Sequence, residues 1–437
     1  MFSYYFRLGL RSLRRNMVLT ALMIAAIAVG IGACMTTLTV FRSMSGDPIP
    51  QKSNRLFAVQ IDNWGPDKHA GGAADRLEFQ LSYIDAMGLM RARAAKRQSV
   101  MYATRLPLRP ADVRQKASKV FVRAAFTDFF PMFDAPFKFG APWSASDDES
   151  RAAVVVLTKD TNDRLFAGAN SVGKTIRLDN EPYTVTGVLD DWRPLPRFYD
   201  VTLRPFGDGD AIFMPFNRAI DEHMRNIGST QCNGDAEPGW EGLLKSDCVW
   251  LQFWAELPGE IDVQRYRTFL DNYAAEQEKI GRFHWPPHTQ LRDVMQWLQY
   301  MKIVPNEVRI LILVSFGFLL VCLMNAMGLM LAKLMGRAGD IGVRRALGAS
   351  RKAIFGQCLI ETGVIGFAGG LLGLLLTAAG LWAARSLLTK EFVALAHLDW
   401  VDTGIAVLLA VSATVLAGLY PTWRAAHVQP AWQLKAQ

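Results

Sequence analysis

Four stretches of the chain carry no charged residue: Asn16–Phe41, Ile310–Ala332, Thr362–Ala384 and Thr403–Trp423, of 26, 23, 23 and 21 residues. A bilayer core needs about 20 apolar residues in a helix, and only an internally hydrogen-bonded backbone can cross it. Buried helices of a water-soluble protein would keep polar faces at helical spacing, which these stretches lack. Four transmembrane helices are therefore predicted, over 17–42, 306–332, 362–385 and 403–423. The first has an apolar run longer than the roughly 7–15 residues of a signal-peptide core and no small-x-small cleavage site, so it reads as a permanent span.

Between the first two spans the pattern changes to short strands and amphipathic helices. Strands are predicted at 55–61, 119–126, 152–158, 211–216 and 249–257, and helices at 83–93, 158–167 (capped by Thr158) and 262–280. A hairpin is predicted from 174–180 and 183–190 across Asn180-Glu181-Pro182. The expected fold class is an α-helical membrane protein with four spans and an inserted mixed α/β domain, 43–305, of two subdomains. The flanks 43–139 and 246–305 would form one, with 140–245 inserted as the other. Residues 1–16 place Arg7, Arg11 and Arg14 on one stripe and Phe6, Leu10 and Leu13 on another, as in a helix lying in a membrane interface.

Charge gives the layout a direction. Arg7, Arg11, Arg14 and Arg15 precede the first span, and in the 333–361 loop Lys333, Arg337, Arg344, Arg345, Arg351 and Lys352 outnumber Asp340 and the terminal Glu361. The 386–402 connection is acidic on balance. The positive-inside rule then puts both termini (the tail is 424–437) and the 333–361 loop in the cytoplasm of a bacterial inner-membrane protein, with 43–305 in the periplasm. Much of the net +8 belongs to this cytoplasmic rim, so it is not read as nucleic-acid binding. Of five cysteines, Cys34 and Cys322 fall in spans and Cys358 just before the third. Cys232 and Cys248 lie in the outer domain around a polar loop. They are expected to form a disulfide worth about 3 kcal/mol in an oxidising compartment, the alternative being two free thiols.

Residues 168–175, G-A-N-S-V-G-K-T, match the P-loop pattern G-x-x-x-x-G-K-[ST]. A P-loop needs a strand before it and a helix after it, so that helical N–H groups face the phosphates. Here a helix is predicted before and a strand after. The motif is expected to be fortuitous, with no nucleotide, cofactor or metal bound by this chain. His284 and His288 flank Trp285-Pro286-Pro287, which prevents a helix from aligning them as ligands.

The loop between spans two and three reads G-R-A-G-D-I-G-V-R-R-A-L-G-A-S-R from Gly336. Asp340 to Leu347 suits a short apolar-and-basic helix, with Gly348 as its C-cap and Ser350 as the N-cap of the next. Composition leaves two readings open: a solvated loop, or a helix that docks in another protein.

D-I-G-V-R-R-A-L-G-A-S (340–350) resembles the motif E-I-G-[IV]-R-[KR]-A-L-G-A-[ST] of the MacB/FtsX-type (type VII) ABC permeases. The end, G-L-Y-P-T-W-R-A-A-H-V-Q-P-A-W-Q-L (418–434), and the S-V-G-K-T-I of 171–176 are similar to further stretches of that family. The resemblance covers the whole chain in the same order. Asp340 replaces the usual Glu, and Met335-Gly336-Arg337-Ala338-Gly339 replaces the usual E-R-[TR]-R, so one acidic contact to an ATPase is in doubt. MacB carries a fused ATPase domain, whereas here hydrolysis is expected in a separate chain.

The resemblance implies a permease subunit, not itself an enzyme, paired with a second permease, the same or homologous. Two copies of a separate ATPase carrying ATP and Mg would act through the coupling residues Asp340, Ile341, Gly342, Val343, Arg344, Arg345, Ala346, Leu347, Gly348 and Ala349. It implies mechanotransmission, with ATP-driven movement passed to the periplasmic domain for export or tripartite efflux with a periplasmic adaptor and an outer-membrane channel. The alternatives are an FtsX-like regulator of periplasmic partners and Lol-type lipoprotein extraction. A sensor or other enzyme would need a catalytic cytoplasmic segment, which is not seen. No ionisable residue falls inside the four charge-free stretches, so no polar pathway is expected. Gly366/Gly370 and Gly369/Gly373 are small-xxx-small pairs for close helix packing, either to a second permease or within the subunit.

Overall fold

The computed structural model describes residues 16–64, 77–109, 117–207, 209–234, 236–283, 285–286, 288–387 and 400–426. The expected interfacial helix, most of the 386–402 connection, His284 and the end of the 418–434 motif lie outside them. The chain divides into two compact units, Gly46–Ile303 and the two flanking segments Met1–Ser45 and Val304–Gln437.

The Gly46–Ile303 unit is mixed α/β. Its strands are β1 (Leu56–Ile61), β2 (Leu81–Ser82), β3 (Arg97–Arg109), β4 (Ser118–Ala125), β5 (Phe137–Gly140), β6 (Val154–Leu157), β7 (Thr175–Leu178), β8 (Glu181–Leu189), β9 (Ile212–Pro215), β10 (Val249–Glu256) and β11 (Thr289–Asp293). They form a single sheet in the order β11-β1-β10-β3-β4-β9-β6-β8-β5, with β2 on β10 and β7 pairing both β3 and β8. The β4–β9 and β6–β8 pairs are parallel and the other pairs antiparallel.

The expected inserted segment 140–245 joins its flanks through this sheet. Strands of 140–245 hydrogen-bond directly to the flanks, β9 to β4 and β7 to β3, so the middle segment extends one sheet and one unit. Both faces are covered. Phe57, Val59 and Ile61 of β1 join one core, while Leu56 and Ala58 join the other. Of the helices interleaved with the strands, α1 being the first span (Met17–Ser45), α2 (Tyr83–Ala92), α6 (Phe216–Asp221) and α8 (Glu260–Lys279) line the first core. The short α3 (Phe129–Met132) and α9 (Val294–Tyr300) line the second. The remaining pieces are α4 (Ala145–Ser150), α5 (Lys159–Phe166) and α7 (Trp240–Lys245). A strand covered on both sides loses its alternation of polar and apolar residues.

The Pro/Gly-rich stretch between β8 and β9 is pinned by a buried ionic cluster. Arg123 Nη1 donates to Asp200 Oδ2 at 2.6 Å and its Nε donates to Asp210 Oδ2 at 3.0 Å, while Tyr199 OH donates to Asp210 at 3.0 Å. Burial alone would raise the Asp210 carboxyl, but Arg123 and Arg197 beside it hold it below its usual range. The expected hairpin forms with its turn shifted: Asp179 and Asn180 take φ of +47° and +72°, and Glu181-Pro182 already belongs to β8. Two consecutive positive φ values are those of a type I′ turn, which matches the twist of adjoining strands. Thr158 stands at the N-cap of α5, but its hydroxyl donates to Ala211 O at 3.1 Å instead of capping.

In the second unit, α1 is joined by α10 (Asn306–Met335), α11 (Ala338–Ala346), α12 (Arg351–Leu387) and α13 (Trp400–Ala426). Helices α1, α10, α12 and α13 each contain a segment long and apolar enough to span a membrane. Thr37 Oγ1 donates to Ser315 Oγ at 2.8 Å, joining α1 to α10. α10 and α12 run past the expected limits of 332 and 362.

Candidate functional site

Residues 338–346 form α11 between the second and third spans. Gly336 N donates to Ala332 O at 3.0 Å and closes α10; Ile341 N then donates to Arg337 O at 3.1 Å and opens α11. Gly348 has φ +99°, the left-handed conformation that ends a helix and that a side chain strains. Ser350 Oγ accepts from Ala353 N at 3.2 Å, capping α12. The motif glycine and serine thus make the tight corner between two helices.

One side of α11 rests on the bundle. Gly342 is buried, and Ile341 and Ala349 pack on the core formed by Met23, Met330 and Ile354. Arg344 Nη1 donates to Gln357 Oε1 on α12 at 3.2 Å. The other side is open, with Val343 59% and Leu347 83% exposed. The side chains of Asp340, Arg345 and Ala346 lie outside the described residues.

The four glycines of α12 predicted to pack, Gly366, Gly369, Gly370 and Gly373, face partners within the chain. A Cβ on Gly369 would lie 2.7 Å from Ile27 Cγ2, and one on Gly373 would lie 2.9 Å from Ile31 Cβ, both on α1. A Cβ on Gly366 would meet Thr414 at 2.7 Å, and one on Gly370 would meet Ala410 at 2.7 Å, both on α13. Each small-xxx-small pair therefore serves a different neighbour in the same subunit. Gly418, in the C-terminal motif, packs in turn against Thr362.

Sequence reasoning missed an ionic centre at this end of the bundle. Lys333 and Glu361 each fall one residue outside a charge-free stretch, yet they sit on α10 and α12 and turn inward. They are 2% and 6% exposed, with Nζ 2.5 Å from Oε1. Lys333 Nζ also donates to Thr20 Oγ1 on α1 at 3.2 Å, and Arg337 Nη1 lies 3.5 Å from Glu361 Oε1. The signal lay in the charges that ended the predicted spans.

In the other unit, the 168–175 loop runs from α5 into β7. Its amides turn inward: Gly173 N donates to Val185 O at 2.8 Å and Lys174 N to Ser171 O at 3.0 Å. Ser171 Oγ donates to Asn162 Oδ1 at 2.6 Å, and Lys174 Nζ lies 5.0 Å from the centre of the Phe166 ring. The helix-before, strand-after order is the reverse of a phosphate loop. Cys232 and Cys248 are joined by a disulfide, beside a backbone pair between Gln231 and Val249.

Residues 20–258 match the profile of the MacB-like periplasmic core domain, and residues 312–430 that of the FtsX-like permease C-terminal region. Curated relatives include macrolide export ATP-binding/permease proteins MacB. That of Marinobacter nauticus is 23% identical over 434 residues, covering 98% of this chain and 60% of the relative. That of an Azoarcus species is 26% identical over 390 residues, covering 86% and 51%. The chain thus spans about half to three fifths of the length of these relatives. Among solved structures, the periplasmic region of MacB from Actinobacillus actinomycetemcomitans matches 58% of this chain and 95% of its own, at 13% identity and TM-score 0.37. The extracellular domain of YknZ, a noncanonic ABC-type transporter from Gram-positive bacteria, matches 55% and 100%, at 10% identity and TM-score 0.34. With the core-domain profile covering more than half of its residues and the permease profile following in order, the chain belongs to the MacB/FtsX-like permease family.

Proposed function

We propose that this chain is the permease subunit of an ABC transporter and converts ATP hydrolysis by a separate ATPase into movement of its large domain, in the service of export. The observation that carries the reading is the corner at 336–350. A short helix rests one side on the span bundle and leaves Val343, Arg344 and Leu347 open to solvent. An apolar-and-basic helix of this kind fits a groove on a partner protein. Pushing it would act on α10 and α12, which it joins.

On this reading the chain is not an enzyme. ATP and Mg reside on two copies of the partner ATPase, and a second permease, the same or homologous, completes the membrane part. Lys and Arg around α11 support placing it in the cytoplasm with both termini, in the bacterial inner membrane, with the Gly46–Ile303 unit in the periplasm. The size of that unit and the export function named for the relatives favour export over an FtsX-like regulatory role or lipoprotein extraction. A periplasmic adaptor and an outer-membrane channel would complete an efflux route.

The test is the double substitution Arg344→Glu, Arg345→Glu in the full chain, reconstituted with an ABC ATPase that co-purifies with the wild-type chain. Reversal of both charges should abolish co-purification of the ATPase or its stimulation by the permease. Wild-type binding and stimulation in the double variant would refute the coupling role.

A further inference from the structure

Three helices and the turn into α11 meet at one buried ion pair. Glu361 comes from α12, Lys333 from the last turn of α10, Arg337 from the turn before α11, and Thr20 from the first turns of α1. The Lys333 and Glu361 charges are almost fully withdrawn from solvent. A buried ion pair resists separation, because each partner left behind would be an uncompensated charge. An ionisable pair between apolar helices is also costly to place there at all, so its position calls for a reason beyond packing.

We infer that Lys333, Glu361, Arg337 and Thr20 form a latch that makes the start of α1, the end of α10 and α12 move with α11. The inference rests on the coupling role proposed for α11 and names the residues that carry displacement away from it. Arg337 lies directly before α11, and its carbonyl accepts the hydrogen bond that opens that helix. A push on α11 therefore moves Arg337, and with it the carboxylate that holds Lys333. Arg344 to Gln357, one turn before Glu361 on α12, is a second tie on the same path. α1 and α10 are the two helices that lead covalently into the Gly46–Ile303 unit. On this proposal they are positioning residues, acting through α11.

The test uses the full chain in lipid nanodiscs without any ATPase. Nitroxides at Leu22→Cys on α1 and Val343→Cys on α11 report one distance distribution, with Cys34, Cys322 and Cys358 replaced by alanine. The charge-keeping Lys333→Arg should leave that distribution narrow. Lys333→Met and Glu361→Gln should each widen it at least about twofold and lower the melting temperature. The double variant Lys333→Met, Glu361→Gln leaves no unpaired charge, so it should recover melting temperature while the distribution stays wide.

That split separates a latch from a merely structural pair, in which width would follow stability. Narrow distributions in the single variants, or a double variant as narrow as the reference, would overturn the proposal. Should a single variant fail to fold, the double variant decides by the same measure. A wild-type chain that neither binds nor stimulates an ATPase would remove the coupling role, while these partner-free distances still decide the latch.

Discussion

Gly369 and Gly373 stand about one turn apart on α12 and leave room for Ile27 and Ile31 of α1. In lipid, helix association relies on such close packing, since the acyl chains already satisfy apolar side chains. Gly369→Leu should therefore destabilise the bundle by about 1–3 kcal/mol, read as a lower melting temperature in detergent. Gly363→Ala, where a Cβ meets nothing within 4 Å, is the control and should not lower it. In the α/β unit, burial pushes the fully buried Glu78 carboxyl up to about 8, with the Asp62 charge adding to the rise. A carboxyl raised on folding favours the protonated native state. Its contribution is therefore fully present below the ordinary pKa of 4.5 and is lost as pH rises through about 8. At pH 8 the ionisation penalty is roughly 4 kcal/mol. Glu78→Gln should flatten the fall in melting temperature between pH 5 and pH 8, and an unchanged slope would contradict this assignment. The residue scale was the least legible in the sequence. Lys333 and Glu361 lay at the points where charge was taken to end the spans, and only the fold shows them facing each other.

At the scale of elements, the spans were legible because lipid demands long charge-free runs. Strands β1, β4 and β10 were legible as runs of β-branched and aromatic residues. β3 was not, although at 13 residues it is longer than the other described strands. It is buried on both faces along most of its length, so alternation is absent, and Arg105 and Pro107 interrupt what remains. The α11 corner was legible from Gly348 and Ser350, whose roles are local. Which side of α11 faces outward was not, because it depends on α10 and α12. Gly348→Val puts a β-branched residue at φ +99° and should cost at least about 1 kcal/mol in melting experiments. The bridge between Cys232 and Cys248 ties the loop carrying α7 to the start of β10. Replacing both cysteines by serine should cost about 3 kcal/mol of α/β-unit stability, and reductant should do the same to wild type but not to the variant.

For the whole molecule, the order of span, large domain and three spans follows from hydropathy alone. The arrangement inside the domain does not, because strands distant in sequence pair in one sheet: β4 with β9, and β1 with both β10 and β11. The middle segment looked like an insertion because its elements are contiguous in sequence, while the hydrogen bonds that absorb it into the sheet are long-range. The lead into β1 and the lead out of β11 are neighbours, with Val294 N donating to Ser53 O at 3.2 Å. In the other unit α1 and α10, the helices these leads serve, pack directly on each other. Within each unit, therefore, the two places where the chain crosses to the other unit lie close together. Such a module can be exchanged whole during evolution, like a tool on a handle, while the four spans stay the same.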